Sequence, residues 1–264
     1  MNCLRGLAAA LCAASAFAQS PSATNPRYED LNAVLWMQRS VEYTGVTIET
    51  YRTAERTLDR AVRDKHWTAA LEQTSGYEDL PPAVVLDLDE TVLDNSAFEA
   101  RLTASGRRYT EQAWGKWLTE RRAGTVPGAL RFLNMALAAG AAPVYITNRV
   151  CNSADPDDPT LGMLRKLRIP VSPERLFCRE KNGDSFDKTA RRSMVAHHYR
   201  IVMLFGDDIT DFTWIAPEVR SDDRIKLLTN YESLLGERWF MFPNPMYGSW
   251  EQAIGKDKLK ALRQ

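Results

Sequence analysis

Apolar and polar residues follow two rhythms along this chain. Between Val34 and Ala61, apolar positions at Val34, Met37, Val41, Ile48, Tyr51, Ala54, Leu58 and Ala61 recur in three- and four-residue steps. That period belongs to a helix with one apolar face, so one long amphipathic helix is predicted, its stripe serving core packing. Gly76 and Pro81-Pro82 end this segment. Short continuous apolar runs follow: Ala83-Val84-Val85-Leu86, Ala142-Pro143-Val144-Tyr145-Ile146, Ile201-Val202-Met203-Leu204-Phe205 and Trp239-Phe240-Met241-Phe242. Runs of this length read as strands buried on both faces. Arg175-Leu176-Phe177 is a further candidate strand. Helical patterns over 129–139, 161–167 and 188–199 lie between the strands, the first closed by Gly140. Strand alternating with helix predicts an α/β fold, a parallel sheet covered on both faces. A polar, partly helical insertion over 97–126 interrupts the alternation.

The strand ends carry the chemistry. Asp87-Leu88-Asp89-Glu90-Thr91 follows the first run. Side chains two apart on an extended backbone point the same way, so Asp87 and Asp89 can face one ligand. One carboxylate as nucleophile with a second as general acid is a workable phosphoryl-transfer pair. An acidic turn with no chemistry is the alternative for this stretch alone. The second run ends at Thr147-Asn148-Arg149, and the third at Gly206-Asp207-Asp208-Ile209-Thr210-Asp211. Lys188 lies between these two in sequence, within Asp187-Lys188-Thr189-Ala190-Arg191-Arg192. Open α/β sheets bind ligands beyond the carboxyl ends of their strands.

These four segments resemble the signature of the haloacid dehalogenase (HAD) superfamily. Leu93-Asp94-Asn95-Ser96, Pro243-Asn244-Pro245-Met246-Tyr247-Gly248, Leu35-Trp36-Met37-Gln38-Arg39-Ser40-Val41-Glu42-Tyr43 and Trp114-Gly115-Lys116-Trp117 narrow the match. Together they look like the class C, four-aspartate bacterial acid phosphatases, the branch with the lipoprotein 5′-nucleotidases. The resemblance implies a HAD-type, Rossmann-like parallel sheet with a smaller helical subdomain. The pattern of elements along the chain places the helical part at 28–79 and 97–126, and the phosphatase core at 80–96 and 127–264. The resemblance implies Asp87 as nucleophile and Asp89 as general acid and base. To donate, Asp89 must carry a proton at working pH. Mg2+ would be held by Asp87, Asp89 (through its backbone carbonyl) and Asp207, with Asp208 or Asp211 in support. Asp208 and Asp211 could instead cap the next helix. Thr147 and Asn148 would donate to phosphoryl oxygens, and Lys188 would neutralise the charge there. Lys181 is a rival for that role. Thr91, Asp94 and Asn95 would brace the nucleophile loop. Trp114 and Tyr247 match positions that stack on a nucleotide base, with core burial as the alternative. Arg191 and Arg192 read as a solvated helix face, and Trp117 as packing.

Composition narrows the partners. The 264 residues carry 34 Lys+Arg against 34 Asp+Glu. Without a basic excess, a nucleic acid polymer is not the expected partner. A small phosphomonoester, nucleotide-like, is. Arg5, the apolar stretch to Ala14 and Ala16-Phe17-Ala18 form the pattern of a secretory signal peptide over 1–18, too short for a stable membrane span. A Ser/Pro/Asn-rich segment over 19–27 is expected to be mobile. A periplasmic or secreted protein follows. Leu11 before Cys12 disfavours lipid anchoring. Cys151 and Cys178 remain beyond the leader; an oxidising compartment permits their pairing, while two separate thiols stay open. Only three histidines occur and no Arg-His-Gly motif is present, which disfavours a phosphohistidine route. The resulting expectation is a secreted Mg2+-dependent acid phosphatase acting on nucleoside 5′-monophosphates, possible homodimers included. The competing readings are a broad-specificity phosphomonoesterase and a catalytically weak ligand-binding relative. The intact Asp87 argues against the latter, and Asp89 against a dehalogenase.

Overall fold

The computed structural model describes residues 28–179, 186–255 and 257–263. The signal-peptide and mobile-segment readings over 1–27, and Lys181, lie outside the described residues. The predicted runs all form strands. β1 (Pro82–Leu86), β4 (Ala142–Val150), β5 (Leu176–Arg179), β6 (Arg200–Gly206) and β7 (Trp239–Met241) make a parallel sheet in the order β5-β4-β1-β6-β7. Two short strands, β2 (Leu93–Asp94) and β3 (Gly124–Thr125), pair antiparallel beside it. The sequence pattern had not marked that ribbon, which is too short to show a period.

The two-residue period of β1 divides the core. Val84 and Leu86 join Tyr145, Phe205 and Phe240 in one apolar cluster. Ala83 and Val85 join Val144, Ile146, Leu204 and Trp239 in the other. Helices cover both faces. On the first lie α2 (Val41–Arg63), through Tyr51, Ala54, Leu58 and Ala61, and α5 (Ala129–Ala138), through Phe132, Leu133 and Ala136. On the second lies α7 (Thr189–Ala196), through Val195. Helices α3 (Ser96–Ser105), α4 (Glu111–Glu120), α6 (Pro159–Lys166), α8 (Ser221–Thr229) and α9 (Ser249–Ile254) complete the set.

One expectation needs correction. The long N-terminal helix is two helices, α1 (Tyr28–Arg39) and α2, broken at Ser40. Ser40 is extended, and its Oγ accepts from the Tyr43 amide at 3.0 Å while donating to the Trp36 carbonyl at 2.7 Å. A serine that caps one helix while closing another outweighs an unbroken apolar stripe.

One covalent link fixes the rim of the sheet. Cys151 and Cys178, just past β4 and within β5, form a disulfide with Cα atoms 5.5 Å apart. The adjacency of the two parallel strands makes that separation available, which settles the open choice. No described helix is long and apolar enough to cross a membrane.

Candidate active site

The strand order reverses between β1 and β6: the chain runs outward through β4 and β5 on one side and through β7 on the other. Ligands bind at such a switch point. Asp87 leaves β1 there, and Asp207 leaves β6. The backbone amide of Asp87 donates to the Phe205 carbonyl at 3.0 Å, so the two strand ends are tied together.

Asp87, Asp207 and Asp211 converge, each with a carboxylate oxygen within 4.8 Å of the others. Lys188, at the start of α7, is buried and donates to both Asp87 and Asp211, the latter at 2.6 Å. Burial, against the pull of Lys188 and with repulsion from Asp211 and Asp89, pushes Asp87 up to about 7. Burial and the neighbouring acids also raise Asp207 and Asp211, Lys188 partly opposing this at Asp211. Burial alone would lower Lys188, but Asp211 and Asp87 outweigh it and hold the amine above its ordinary range. Three acids facing one lysine leave negative charge unanswered. Hard oxygen donors with that surplus suit a divalent cation, so the residues fit one.

Gly206 permits this closeness. A Cβ there would sit 2.2 Å from Asp211 Oδ2. The other Asp211 contact explains the sharp turn: its Oδ2 accepts from the Asp208 amide at 3.0 Å, in a capping box over the short 3-10 turn Ile209–Asp211. Asp208 lies outside the acidic triad. Its oxygens accept from the Thr210 amide and hydroxyl at 3.0 and 2.9 Å, and from the Ser249 amide and hydroxyl at 2.6 and 2.7 Å. Burial would raise it, but these bonds hold it below the usual carboxylate range. It ties the β6 loop to α9.

Asp89 occupies different surroundings. Arg149, buried at the end of β4, grips it through Nε at 3.0 Å to both oxygens and Nη2 at 2.6 Å to one. Asn95 Nδ2 adds a bond at 2.8 Å, and the indole of Trp117 in turn holds Asn95 at 2.9 Å. Trp117 therefore packs and also positions. Trp114 lies with its ring 5.4 Å from the Arg149 guanidinium carbon and edge-on to Phe98 at 5.1 Å. Tyr247 packs elsewhere, against the cluster of Val34, Met37, Tyr43 and Met246. Its segment reaches the acids through Asn244, whose Nδ2 donates to Asp207 at 2.7 Å.

The loop after β1 is braced by Asp94, Glu90 and Asn95, whereas Thr91 contributes only its backbone carbonyl. Asn95 N–H donates to Glu90 Oε1 at 2.7 Å, Ser96 N–H to Asp94 at 2.8 Å, and Tyr51 hydroxyl to the Thr91 carbonyl at 2.7 Å. Thr147 is buried and its Oγ1 accepts from the Arg149 amide at 3.1 Å. Asn148 bonds the Phe186 carbonyl and accepts from Arg191.

Arg191 and Arg192 contradict the solvated-face reading: they are 5% and 1% exposed. Arg191 donates to the Thr147 carbonyl at 2.6 Å and the Asn148 side chain at 2.8 Å. Arg192 donates to the Asp211 carbonyl at 3.1 Å and pairs with Glu72. They hold the end of β4 and the loop after β6 from behind, where backbone carbonyls need donors. Periodicity counts any arginine as polar and cannot see that use. Arg149, Tyr43, Glu90 and Asn244 stood in quoted motifs without a role; the bonds of Arg149 to Asp89 and of Asn244 to Asp207 join residues distant in sequence and left no local signal.

This sheet and this cluster define a hydrolase of the phosphoryl-transfer kind, with an acid at the end of β1, a lysine and a paired-acid loop after β6. Residues 7–250 match the HAD superfamily, subfamily IIIB (acid phosphatase), and the chain belongs to that family. It is an acid phosphatase, a phosphomonoester hydrolase. The class C acid phosphatase from Bacillus anthracis is 32% identical, with a TM-score of 0.72 over 88% of this chain and 93% of that one. The same class of enzyme from Bacillus anthracis with tungstate bound is 31% identical, with a TM-score of 0.73 over the same shares.

Proposed function

We propose that this acid phosphatase is exported, depends on Mg2+ and hydrolyses nucleoside 5′-monophosphates through a phosphoaspartate at Asp87. The observation that carries the reading is the meeting of Asp87 with Lys188, Asp207 and Asp211 at the switch point of the sheet. Asp87 Oδ attacks phosphorus, and the ester P–O bond breaks. Asp89 gives its proton to the leaving oxygen, then takes one from the water that attacks the phosphoaspartate, releasing inorganic phosphate and free Asp87. Arg149 and Asn95 aim Asp89 at that oxygen. Lys188, Thr147 and Asn148 meet the phosphoryl charge, the lysine by its place against Asp87. Asp87, Asp207 and Asp211 would hold the cation, with the Asp89 carbonyl contributing; bound, it supplies positive charge for the phosphoryl oxygens. The tungstate in the Bacillus anthracis relative, a tetrahedral oxyanion, supports a phosphate-shaped site here.

Trp114 and Tyr247 would stack on the base, and the leader pattern over 1–18 supports export. The test is a panel of nucleoside monophosphates, sugar phosphates and aryl phosphates, each assayed before and after chelation and after Mg2+ is restored. Reversible loss on chelation with preference for nucleotides is expected. Full activity after chelation would end the Mg2+ reading, and equal rates across the panel would favour a broad-specificity enzyme.

A further inference from the structure

Among the described residues, several buried polar atoms have nothing to bond, two of them in segments that reach the acidic triad. The hydroxyl of Tyr43, in α2, and Oε2 of Glu90, in the nucleophile loop, lack any hydrogen-bond partner. Tyr43 is 2% exposed and Glu90 0%. Buried polar atoms are nearly always bonded, so each orphan asks for a reason.

The two orphans share their surroundings. Burial first, then the charges of Asp94, Glu90 and Asp207, raise Tyr43 well above the ordinary phenol value. Its hydroxyl therefore sits among carboxylates as a neutral group. Glu90 stands three residues after Asp87 in one loop, and Tyr43 packs with Met246, two residues from the Asn244 that holds Asp207.

Glu90 has a positive φ of 57°, and its Oε1 is already engaged by the Asn95 amide. That leaves Oε2 fixed without a donor. Tyr43 stands three residues after the Ser40 cap, its ring edge-on to Trp36 at 5.7 Å and packed with Val34, Met37 and Met246. The segment carrying Met246 also carries Asn244, which holds Asp207.

A small divalent cation held by a few carboxylates keeps several of its waters. Those waters are strong donors and need acceptors around them. A carboxylate oxygen accepts, and a phenol both accepts and donates. We propose that Glu90 Oε2 and Tyr43 Oη hold the outer water shell of the cation whose inner ligands come from Asp87, Asp207 and Asp211. The inference rests on the cation reading above. Both are positioning residues that act through water, and Tyr43 makes the N-terminal helices part of the metal site. Outer partners of this kind set metal affinity as well as ligand orientation.

The test uses the full chain and Mg2+ itself. Isothermal titration calorimetry would measure Mg2+ binding by wild type, Tyr43→Phe and Glu90→Gln, and melting would be followed without metal. Tyr43→Phe keeps the ring and removes only the hydroxyl; Glu90→Gln keeps the shape and the Asn95 contact. Each is expected to weaken Mg2+ binding about 10- to 100-fold. The metal-free Tm of Tyr43→Phe should be unchanged or higher, because an unbonded hydroxyl is gone. Mg2+ bound by both variants as tightly as by wild type would overturn this inference alone. A lowered metal-free Tm in Tyr43→Phe with normal Mg2+ affinity would do the same, by assigning the hydroxyl to the fold. No Mg2+ binding by wild type would overturn the cation reading, and this inference with it.

Discussion

Asp87 and Asp89 are the same residue type, two positions apart on one loop, in opposite surroundings. Asp87 is crowded by acids and shares one lysine with Asp211. Asp89 has an arginine of its own, with Asn95 beside it. The first place concentrates negative charge, which a cation and a phosphoryl group can use. The second fixes a single carboxyl in direction through Arg149 and Asn95. Pairs of acids in divergent environments take different parts in a reaction. The sequence alone makes them look equivalent; their partners, from β4 and α7, make them differ.

The comparison can be broken at either acid. Asp89→Asn should lower turnover of nucleoside monophosphates on the order of 10²–10⁴-fold, and that of activated aryl esters far less, since those leave without a proton. Parallel kinetics on both ester types checks this. A uniform loss would take Asp89 out of proton transfer and erase the contrast with Asp87.

On the Asp87 side, Lys188→Met should lower kcat on the order of 10²–10³-fold for every ester, whatever its leaving group. It should also lower the Tm at neutral pH, because the buried Asp87 and Asp211 lose their counter-charge. Wild-type Tm with full activity would show that the lysine answers no charge.

Specificity lies beyond both acids. Trp114→Ala and Tyr247→Ala should each raise KM for a nucleoside monophosphate up to about 10- to 100-fold, and leave a small aliphatic phosphate nearly untouched. Equal losses on both substrates would make these rings part of the fold.

The smallest effect is on stability. Asp87, Asp207 and Asp211 all have folded pKa values above their unfolded ones. Between the unfolded carboxylate range and about 7, where Asp87 titrates, the native state therefore binds more protons than the unfolded state. Their contribution is full at low pH and is lost as pH rises through that window. Metal-free wild type should thus lose Tm relative to Asp207→Asn between pH 5 and 7.5, and Mg2+ should remove the deficit. A growing advantage of metal-free wild type with rising pH would reverse the sign and refute the crowded-acid description.

Much of this was legible in the chain. Four of the five strands of the parallel sheet were, because apolar runs of four or five between turn residues have few other uses in an α/β protein; β5 showed only as the short candidate Arg175-Leu176-Phe177. The meeting of Asp87, Lys188, Asp207 and Asp211 was foreshadowed by their places at strand and helix ends, since parallel strands bring those ends to one side. The break at Ser40 was not, because a cap is a single side-chain bond inside an unbroken stripe. The burial of Arg191 and Arg192 was not either. Their bonds go to carbonyls 44 and 19 residues away in sequence, and no local pattern encodes that. The grip of Arg149 on Asp89 spans 60 residues and failed to show for the same reason.

The central claim is that the phosphoryl group passes through Asp87. The direct measurement is mass spectrometry of acid-quenched enzyme during turnover of a phosphomonoester, with the modified peptide sequenced. The account predicts one added phosphoryl group on Asp87, absent in Asp87→Asn, whose turnover falls on the order of a thousandfold or more while its fold persists. A phosphoryl group on another residue, or near-normal turnover by Asp87→Asn, would contradict it.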